Sequence, residues 1–512
     1  MRVTSLGIVF AGALTVGSGC GLLFGDVDAR GGGGAGAGEG GTLSITSTTN
    51  GIGGKDEGGG GGGGSPPMDC PARLDSIDAG SWMMTMASAS ITDITVEGQT
   101  IFAVGKATPD VFCGVPFEES GLMGDRLFLI GVEEDTGTLE RVVDLGPADG
   151  NEIRLSHGNG QGEPLVAWTH TSGLCVMSLS DASSDCPPAV ATLRCDLTSG
   201  SFSNIGVAAT SEPVVLFRKP DGNGSCEAGG STNIELGSLA NHLLVNASDA
   251  EATTIGAPAG IRMGMAQTGP GGVRITGICG EGEFVMGQPC EDANGAGMSH
   301  MFMIVLDVDG ADLAMPDFFS PIATLVTPQF GFVAPSAVGV AYSAQQAVGD
   351  ARRVGWGGNM VSATPLTQLK FDGSGDLQFP TGVRSVETDG GLGQIVTGVA
   401  LTSASRVVGG KPLFDCGLAE CVPYSFWIHT PEPPDPGTEP YPVAVVGNDQ
   451  SGIDCPAAGT AVEHGFLVGQ SALLGGKYAC GRPVVGATSY GLATEGNTIN
   501  AFLARIPTQT VP

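Results

Sequence analysis

The sequence is poor in charged, aromatic and above all basic residues. Charged residues make up 15% of the 512 positions, against about 25% in ordinary soluble domains. Aromatic residues make up 6%, and Lys and Arg total 22 against 53 Asp and Glu, which gives a formal charge of -31. A nucleic-acid partner needs rows of cations that face the phosphates. The composition therefore argues against nucleic acid as a partner.

The chain also lacks the short motifs of several common chemistries. No C-x-x-C occurs, so neither a thioredoxin-like redox site nor a zinc ribbon is predicted. No two of the six histidines have the spacing of a zinc-ligand pair, and no G-x-S-x-G nucleophile elbow is present. We therefore predict no catalytic, cofactor-binding or metal-binding residue. The alternative is calcium at two acidic turns, DVDG at 307–310 and DGSGD at 372–376, although Asp and Gly there are also typical of hairpin turns.

The first 19 residues are typical of an export signal. Arg2 precedes an apolar stretch, residues 3–16, which is too short to span a bilayer. The small residues 17–19 then lead directly to Cys20. This arrangement resembles the lipobox of bacterial lipoproteins, which implies that Cys20 is lipidated and anchors the protein in the cell envelope. Gly21 favours the outer membrane, facing the periplasm or the exterior; a secretory signal followed by a chance cysteine is the alternative.

A glycine-rich segment separates this signal from the rest of the chain. Gly accounts for 86 residues of the sequence, and residues 31–64 are the richest part. Such a segment buries little apolar area and behaves as a flexible coil. We predict a tether over residues 20–69, with a reach of roughly 35–45 Å, that holds a folded body of residues 70–512 away from the membrane.

The cysteine count agrees with export. Without Cys20, twelve cysteines remain, an even number that fits an oxidising compartment and a set of disulfides. Short loops favour local partners, so we expect Cys186 with Cys195, Cys279 with Cys290, and Cys416 with Cys421. The full connectivity does not follow from the sequence.

The body contains hairpin-like segments at regular intervals. Strand–turn–strand patterns occur at 91–105, 152–168, 204–217, 273–287, 338–358, 394–410 and 459–469. A second type of hairpin, with an Asp/Gly turn, occurs at 127–143, 302–315 and 368–379. Two hairpins make four antiparallel strands, and no helical apolar stripe competes with this pattern.

These segments, with their Val-Gly endings, resemble the repeats of bacterial seven-bladed β-propellers. The resemblance implies an all-β fold, a β-propeller of seven four-stranded blades, for which a pair of β-sandwiches is the structural alternative. The last apolar segment, residues 500–506, lacks a partner of its own unit. We therefore predict that Trp82–Met86 pairs with it and closes the ring. Phe426 takes the place of Phe128, Phe302 and Phe502 in the other units, which favours a structural position for the aromatic segment 424–429.

Two functions fit these observations. The first is a tethered, non-catalytic binding or scaffolding protein of the envelope with an unknown protein or glycan ligand. The second is an exported propeller enzyme, a glycan hydrolase or lyase, whose carboxylates meet only in the fold.

Overall fold

The computed structural model describes part of the chain, and this part is all β. The described residues are 72–73, 80–107, 111–112, 115–116, 125–148, 150–156, 163–183, 185–210, 213–230, 232–247, 251–256, 263–268, 272–279, 283–290, 300–307, 316–319, 329–336, 339–345, 352–358, 368–370, 380–388, 391–400, 407–408, 411–412, 424–430, 442–449, 459–468, 471–485, 488–489 and 494–507. They contain strands and turns and no helix, so none of them forms a helix able to cross a membrane. All of them lie in the second of two compact parts, residues 65–512.

The strands follow one another closely in the chain. The first are β1 (Ala72–Arg73), β2 (Trp82–Met86), β3 (Ala89–Glu97), β4 (Thr100–Ala107), β5 (Val111–Phe112), β6 (Val115–Pro116), β7 (Arg126–Glu133), β8 (Leu139–Pro147), β9 (Ile153–Leu155), β10 (Leu165–His170), β11 (Gly173–Ser178), β12 (Leu193–Leu197), β13 (Ser203–Ala208), β14 (Val214–Lys219), β15 (Gly224–Ala228), β16 (Thr232–Glu235), β17 (Asn241–Asn246) and β18 (Glu251–Gly256). They are followed by β19 (Gly264–Thr268), β20 (Gly272–Cys279), β21 (Phe284–Val285), β22 (Gln288–Pro289), β23 (His300–Asp307), β24 (Asp317–Phe319), β25 (Gln329–Ser336), β26 (Gly339–Gln345), β27 (Arg352–Gly358), β28 (Gln368–Lys370), β29 (Pro380–Thr388), β30 (Gly391–Ala400), β31 (Val407–Val408), β32 (Lys411–Pro412), β33 (Tyr424–Thr430), β34 (Pro442–Asp449), β35 (Gly459–Val468), β36 (Ser471–Val485), β37 (Thr488–Ser489) and β38 (Thr494–Pro507).

Most of these strands form four-stranded antiparallel units. In chain order the units are unit 1 (β3, β4, β7, β8), unit 2 (β9–β12), unit 3 (β13, β14, β17, β18), unit 4 (β19, β20, β23, β24), unit 5 (β25–β28), unit 6 (β29, β30, β33, β34) and unit 7 (β35, β36, β38, β2). Within a unit we number the strands first to fourth in this order. Units 6 and 7 belong to one ten-stranded sheet, because β34 also pairs with β36.

The fourth strand of unit 7 comes from the other end of the body. Strand β2 pairs antiparallel with β38, with Trp82 opposite Arg505 and Met86 opposite Ala501. The predicted pairing of Trp82–Met86 with the last apolar segment is therefore confirmed. On its other edge β2 pairs with the short strand β1.

The hydrophobic core lies between neighbouring units. The first strands contact one another in chain order from β3 to β35, and β35 in turn contacts β3. One apolar cluster joins units 7 and 1 and includes Trp82, Ile94 and Leu473. Further clusters join units 1 and 2, units 2 and 3, and units 3 and 4. Units 1, 2 and 3 are thus packed against a neighbouring unit on both faces.

A glycine faces a phenylalanine across the second and third strands of four units. The pairs are Gly105 with Phe128, Gly277 with Phe302, Gly398 with Phe426, and Gly476 with Phe502. The predicted equivalence of these four phenylalanines is confirmed. A Cβ on Gly277 would lie 2.5 Å from Cζ of Phe302. The ring therefore occupies the space that any larger residue would need.

The predicted hairpins are partly wrong. Those of units 1 to 3 are first-to-second-strand hairpins, as expected. Residues 338–358 instead form the second and third strands of unit 5, and 459–469 contains the single strand β35. Residues 368–370 form the fourth strand of unit 5, and the rest of that predicted hairpin lies outside the described residues. The alternation of apolar residues has the same period in every strand, so it does not show which two strands are neighbours.

Candidate functional site

Polar side chains connect the first strands of neighbouring units. Asp93 on β3 is 1% exposed. Its Oδ1 accepts a hydrogen bond from Ile94 N at 3.0 Å, and its Oδ2 accepts one from Leu155 N on β9 at 3.1 Å. A β-bulge at Thr92 precedes this residue, and a bulge re-aims the following side chain. The carboxylate of Asp93 thus joins unit 1 to unit 2.

The same kind of contact recurs along the next two junctions. Glu152 in unit 2 accepts a hydrogen bond through Oε2 from Ile205 N in unit 3 at 3.2 Å. Asn204 in unit 3 accepts one through Oδ1 from Met263 N, just before unit 4, at 3.2 Å. Asn204 has a φ of 54°, a left-handed conformation that Asn adopts more readily than most residues. We call Asp93, Glu152 and Asn204 the junction acceptors.

Unit 7 reaches the same series through a histidine. His464 on β35 follows a break in strand register between Val462 and His464, as Asp93 does on β3. Its Nδ1 lies 3.3 Å from Oδ1 of Asp93, and the two side chains are only 4% and 2% exposed. One buried carboxylate therefore contacts units 7, 1 and 2.

This imidazole–carboxylate pair could in principle donate and accept a proton or bind a metal. However, both oxygens of Asp93 already accept main-chain hydrogen bonds. Among the described side chains, no group of three His, Cys, Asp or Glu is arranged to hold a metal ion. The contacts of Asp93 with His464 and with Leu155 N join unit 1 to units 7 and 2.

A second polar network surrounds β2, the strand that the start of the body contributes to unit 7. Trp82 Nε1 donates a hydrogen bond to the main-chain oxygen of Glu134 at 2.7 Å. Arg505, opposite Trp82 in register, forms ion pairs with the carboxylates of Glu134 at 3.2 Å and Asp135 at 2.9 Å. Glu134 and Asp135 lie in the turn between β7 and β8. The network therefore links β2 and β38 of unit 7 to unit 1.

Tyr478 on β36 lies near the other end of β2 and is fully buried. Its hydroxyl accepts a hydrogen bond from Asn500 Nδ2 at 3.2 Å and is also hydrogen-bonded to Thr85 on β2. Asn500 Oδ1 accepts a hydrogen bond from Ser88 N at 2.9 Å, in the turn that leads into unit 1. Burial raises the pKa of Tyr478 above its ordinary value of 10.0, while the hydrogen bonds from Asn500 and Thr85 oppose this effect.

Insertions in units 3, 4 and 7 add a strand to the outer edge of the preceding unit, which is unit 2, 3 or 6. In units 3 and 4 the connection from second to third strand contains the hairpins β15–β16 and β21–β22. Strand β15 pairs with β12, the fourth strand of unit 2, and β21 pairs with β18, the fourth strand of unit 3. In unit 7 the end of β36 pairs in the same way with β34, the fourth strand of unit 6. Each insertion therefore covers the outer edge of the preceding unit.

Lys219 supports the start of the first of these insertions. Its Nζ is buried and donates hydrogen bonds to Pro220 O at 2.8 Å and Gly222 O at 2.7 Å. Burial lowers the pKa of Lys219, and the nearby carboxylate of Asp221 opposes this shift. The ammonium group thus satisfies two main-chain carbonyls where the chain leaves unit 3.

The described residues contain three disulfides, and their connectivity corrects one prediction. Cys186 pairs with Cys175 and Cys195 pairs with Cys226, so the expected Cys186–Cys195 bond is wrong. Cys195 and Cys226 lie directly opposite each other on β12 and β15, and sequence distance did not reveal this register. Cys279 is bonded to Cys290, the pair that the short loop suggested.

The remaining predicted site residues lie outside the described ranges. They are Cys20, Cys416 and Cys421, together with Asp309, Asp372 and Asp376 of the two acidic turns. Lipidation and calcium binding therefore stay predictions. The junction acceptors were not predicted. For Asp93 and its partner His464, the one signal is the break in apolar alternation in ITDI at 91–94 and VEHG at 462–465.

Comparisons with known proteins give no family. No family model matches the chain, and no curated protein matches it. Among solved structures, it is similar to the β-propeller domain of the Trilobed protease from Pyrococcus furiosus. The two chains are 8% identical, the match covers 76% of this chain and 89% of that chain, and the TM-score is 0.37. It is also similar to the polysaccharide lyase Uly1, with 8% identity, 82% and 90% coverage and a TM-score of 0.38. TM-scores this low carry no argument about the activity or about the number of sheets.

Proposed function

We propose that the chain is an exported, lipid-anchored binding or scaffolding protein of the bacterial envelope. Its body is a β-propeller of seven four-stranded blades, each blade being one of the units, closed by the N-terminal strand. The observation that carries the proposal is the pairing of β2 with β38. A strand from the start of the body completes the last unit, which is how a ring of sheets avoids an open edge.

The contacts between first strands support the ring. They run from β3 through each following unit to β35, and β35 contacts β3. The contact between His464 Nδ1 and Asp93 Oδ1 lies at this last junction. In two separate β-sandwiches, by contrast, the first unit would have no reason to pack against the seventh.

The disulfides support an extracytoplasmic location. Bonds such as Cys175–Cys186 and Cys279–Cys290 form and persist in oxidising compartments and are rare in the cytosol. Together with the export signal and Cys20, they are consistent with a body held outside the cytoplasm by the tether of residues 20–69.

A binding role fits how the polar groups of the described body are used. The junction acceptors and His464 are committed to contacts between units, and Lys219 is committed to main-chain carbonyls. The insertions thicken the outer edges of units 2, 3 and 6. This arrangement makes a rigid platform, and the unknown partner is a protein or a glycan of the envelope.

The anchor is tested by fractionation of cells that make the Cys20→Ala protein. We expect this variant to leave the membrane fraction, and a Cys421→Ser variant, which keeps the lipidation site, to remain there. Membrane association of the Cys20→Ala protein would overturn the anchor. Incubation of the released protein with a glycan array tests the role: retention without cleavage supports binding, and cleavage products would establish an enzyme.

A further inference from the structure

We propose that Lys219 and Asn241 form an amide bond between their side chains, with Asp221 as the group that transfers the proton. The bond joins the second and third strands of unit 3 at the base of its insertion. All three side chains belong to the described residues, and none of them has a part in the lipid anchor or in the closure of the ring.

Lys219 and Asn241 lie directly opposite each other. Lys219 ends β14, Asn241 begins β17, and the two are partners in the antiparallel register. They continue the column of the pair Phe217–Leu243, whose side chains belong to the buried cluster between units 2 and 3. Opposite residues share a face of the sheet, with Cβ atoms about 4.5–5.5 Å apart. The long lysine stem spans this distance, so Nζ can reach the side-chain carbonyl of Asn241.

Lys219 is held in a form that suits nucleophilic attack. The residue is fully buried, and this burial lowers the pKa of Lys219 below its ordinary value of 10.5. Its Nζ donates hydrogen bonds to Pro220 O at 2.8 Å and Gly222 O at 2.7 Å. A neutral amine has two N–H groups, so these two carbonyls can accept from both and leave the lone pair available. A desolvated lysine of this kind is an activated nucleophile.

The carboxamide of Asn241 is the group that the amine attacks. Its Oδ1 is buried and has no hydrogen-bond partner among the described residues, which is unusual for a buried amide. The carboxylate of Asp221 interacts electrostatically with Lys219. Asp221 Oδ1 also accepts a hydrogen bond at 2.8 Å from the main-chain N of Ala240, the residue before Asn241. Asp221 therefore lies beside both partners, and it is exposed to water.

The bond forms without an external reagent. The neutral Nζ of Lys219 attacks Cγ of Asn241, so the Nζ–Cγ bond forms and the Cγ–Nδ2 bond breaks. Asp221 accepts the proton that Nζ loses and returns it to Nδ2, which leaves as ammonia. No atom is oxidised or reduced. Because the fold holds the two groups side by side, the reaction needs no encounter in solution.

The product closes a covalent loop around the insertion β15–β16. Cys226 within this loop is already bonded to Cys195 on β12, the fourth strand of unit 2. The amide and the disulfide together attach the insertion to units 3 and 2. The outer edge of unit 2 then stays covered when the other contacts of the insertion loosen.

Peptide mapping of the full-length protein tests the bond. The protein is reduced, alkylated and digested with a Glu-specific protease, which cuts after Glu227 and Glu235 and so separates residue 219 from residue 241. We expect one linked peptide that contains both residues and is lighter than the sum of its two parts by one ammonia. Two separate peptides of unmodified mass would overturn the proposal.

Two controls separate this bond from other causes of the same mass change. Asn223 precedes Gly224, and cyclisation of an Asn-Gly pair also releases ammonia. That reaction leaves the peptides separate, so a loss of ammonia confined to the peptide with Asn223 would overturn the proposal. Asn246→Ala, at the other end of β17, is the matched control and should keep the linked peptide, whereas Lys219→Arg should abolish it.

Asp221→Ala tests the proton transfer in a protein that still folds. Because Asp221 is exposed, we expect the variant to keep the tryptophan fluorescence of the unmodified protein. The linked peptide should form at least about 100-fold more slowly in this variant, as followed by mapping at intervals after synthesis. An unchanged rate of formation would overturn the part assigned to Asp221.

Discussion

Asp93 offers the sharpest test of how the units are held together. The substitution Asp93→Ala removes the acceptor of two main-chain hydrogen bonds, from Ile94 N and Leu155 N. The side chain is 2% exposed, so water cannot easily replace it. An unsatisfied buried donor costs about 1–3 kcal/mol, and His464 also loses its contact with Asp93. We expect Asp93→Ala to lower the free energy of unfolding by about 4 kcal/mol.

Two further variants make this prediction specific. Asp93→Asn keeps the shape and one carbonyl oxygen, so we expect a loss of about 1–2 kcal/mol. Glu140→Ala is the control, because the hydrogen bond that Glu140 accepts from Thr100 is exposed, and its loss should cost less than about 0.5 kcal/mol. Urea unfolding followed by tryptophan fluorescence measures all three variants. A loss below about 1 kcal/mol for Asp93→Ala would refute the assigned role of this carboxylate.

Tyr478 and two glycines allow further tests of the packing. Burial raises the pKa of Tyr478 above 10.0, so the folded protein keeps a proton that the unfolded chain loses. The free energy of unfolding should therefore fall as the pH rises above about 10. Tyr478→Phe should lessen this fall, as measured by thermal midpoints at pH 9 and 11. A Cβ on Gly105 would lie 1.9 Å from Ser90 O, whereas one on Gly98 meets nothing but requires a φ of 60°. Gly105→Ala should therefore prevent stable folding, which a low expression yield would show. Gly98→Ala should lower the free energy of unfolding by about 1 kcal/mol, which urea unfolding measures. Equal effects of the two substitutions would contradict the packing described.

The sequence pattern predicted strands better than it predicted their neighbours. The apolar character of Trp82–Met86 and the lack of a partner for the last strand were enough to predict that the two pair. The insertions were not predicted, because β15 and β21 look like any other short strand and their partners belong to the preceding unit. The same long-range pairing explains why Cys195 bonds to Cys226 and not to its closer neighbour Cys186.

The buried polar junctions were harder to foresee. Asp93 and His464 are about 370 residues apart in the chain, and each interrupts an apolar strand without belonging to a motif. Their side chains meet because β3 contacts β35, and this contact depends on the order of the units. Local sequence therefore indicated the strands, whereas the network that joins them required the three-dimensional arrangement.

A crystal structure of the protein would test the proposed ring most directly. We predict seven four-stranded sheets around one axis, with β2 hydrogen-bonded to β38, Trp82 opposite Arg505, and His464 beside Asp93. A structure in which Trp82–Met86 and Phe502–Ile506 lie on different sheets, or in which units 1 and 7 do not touch, would contradict it.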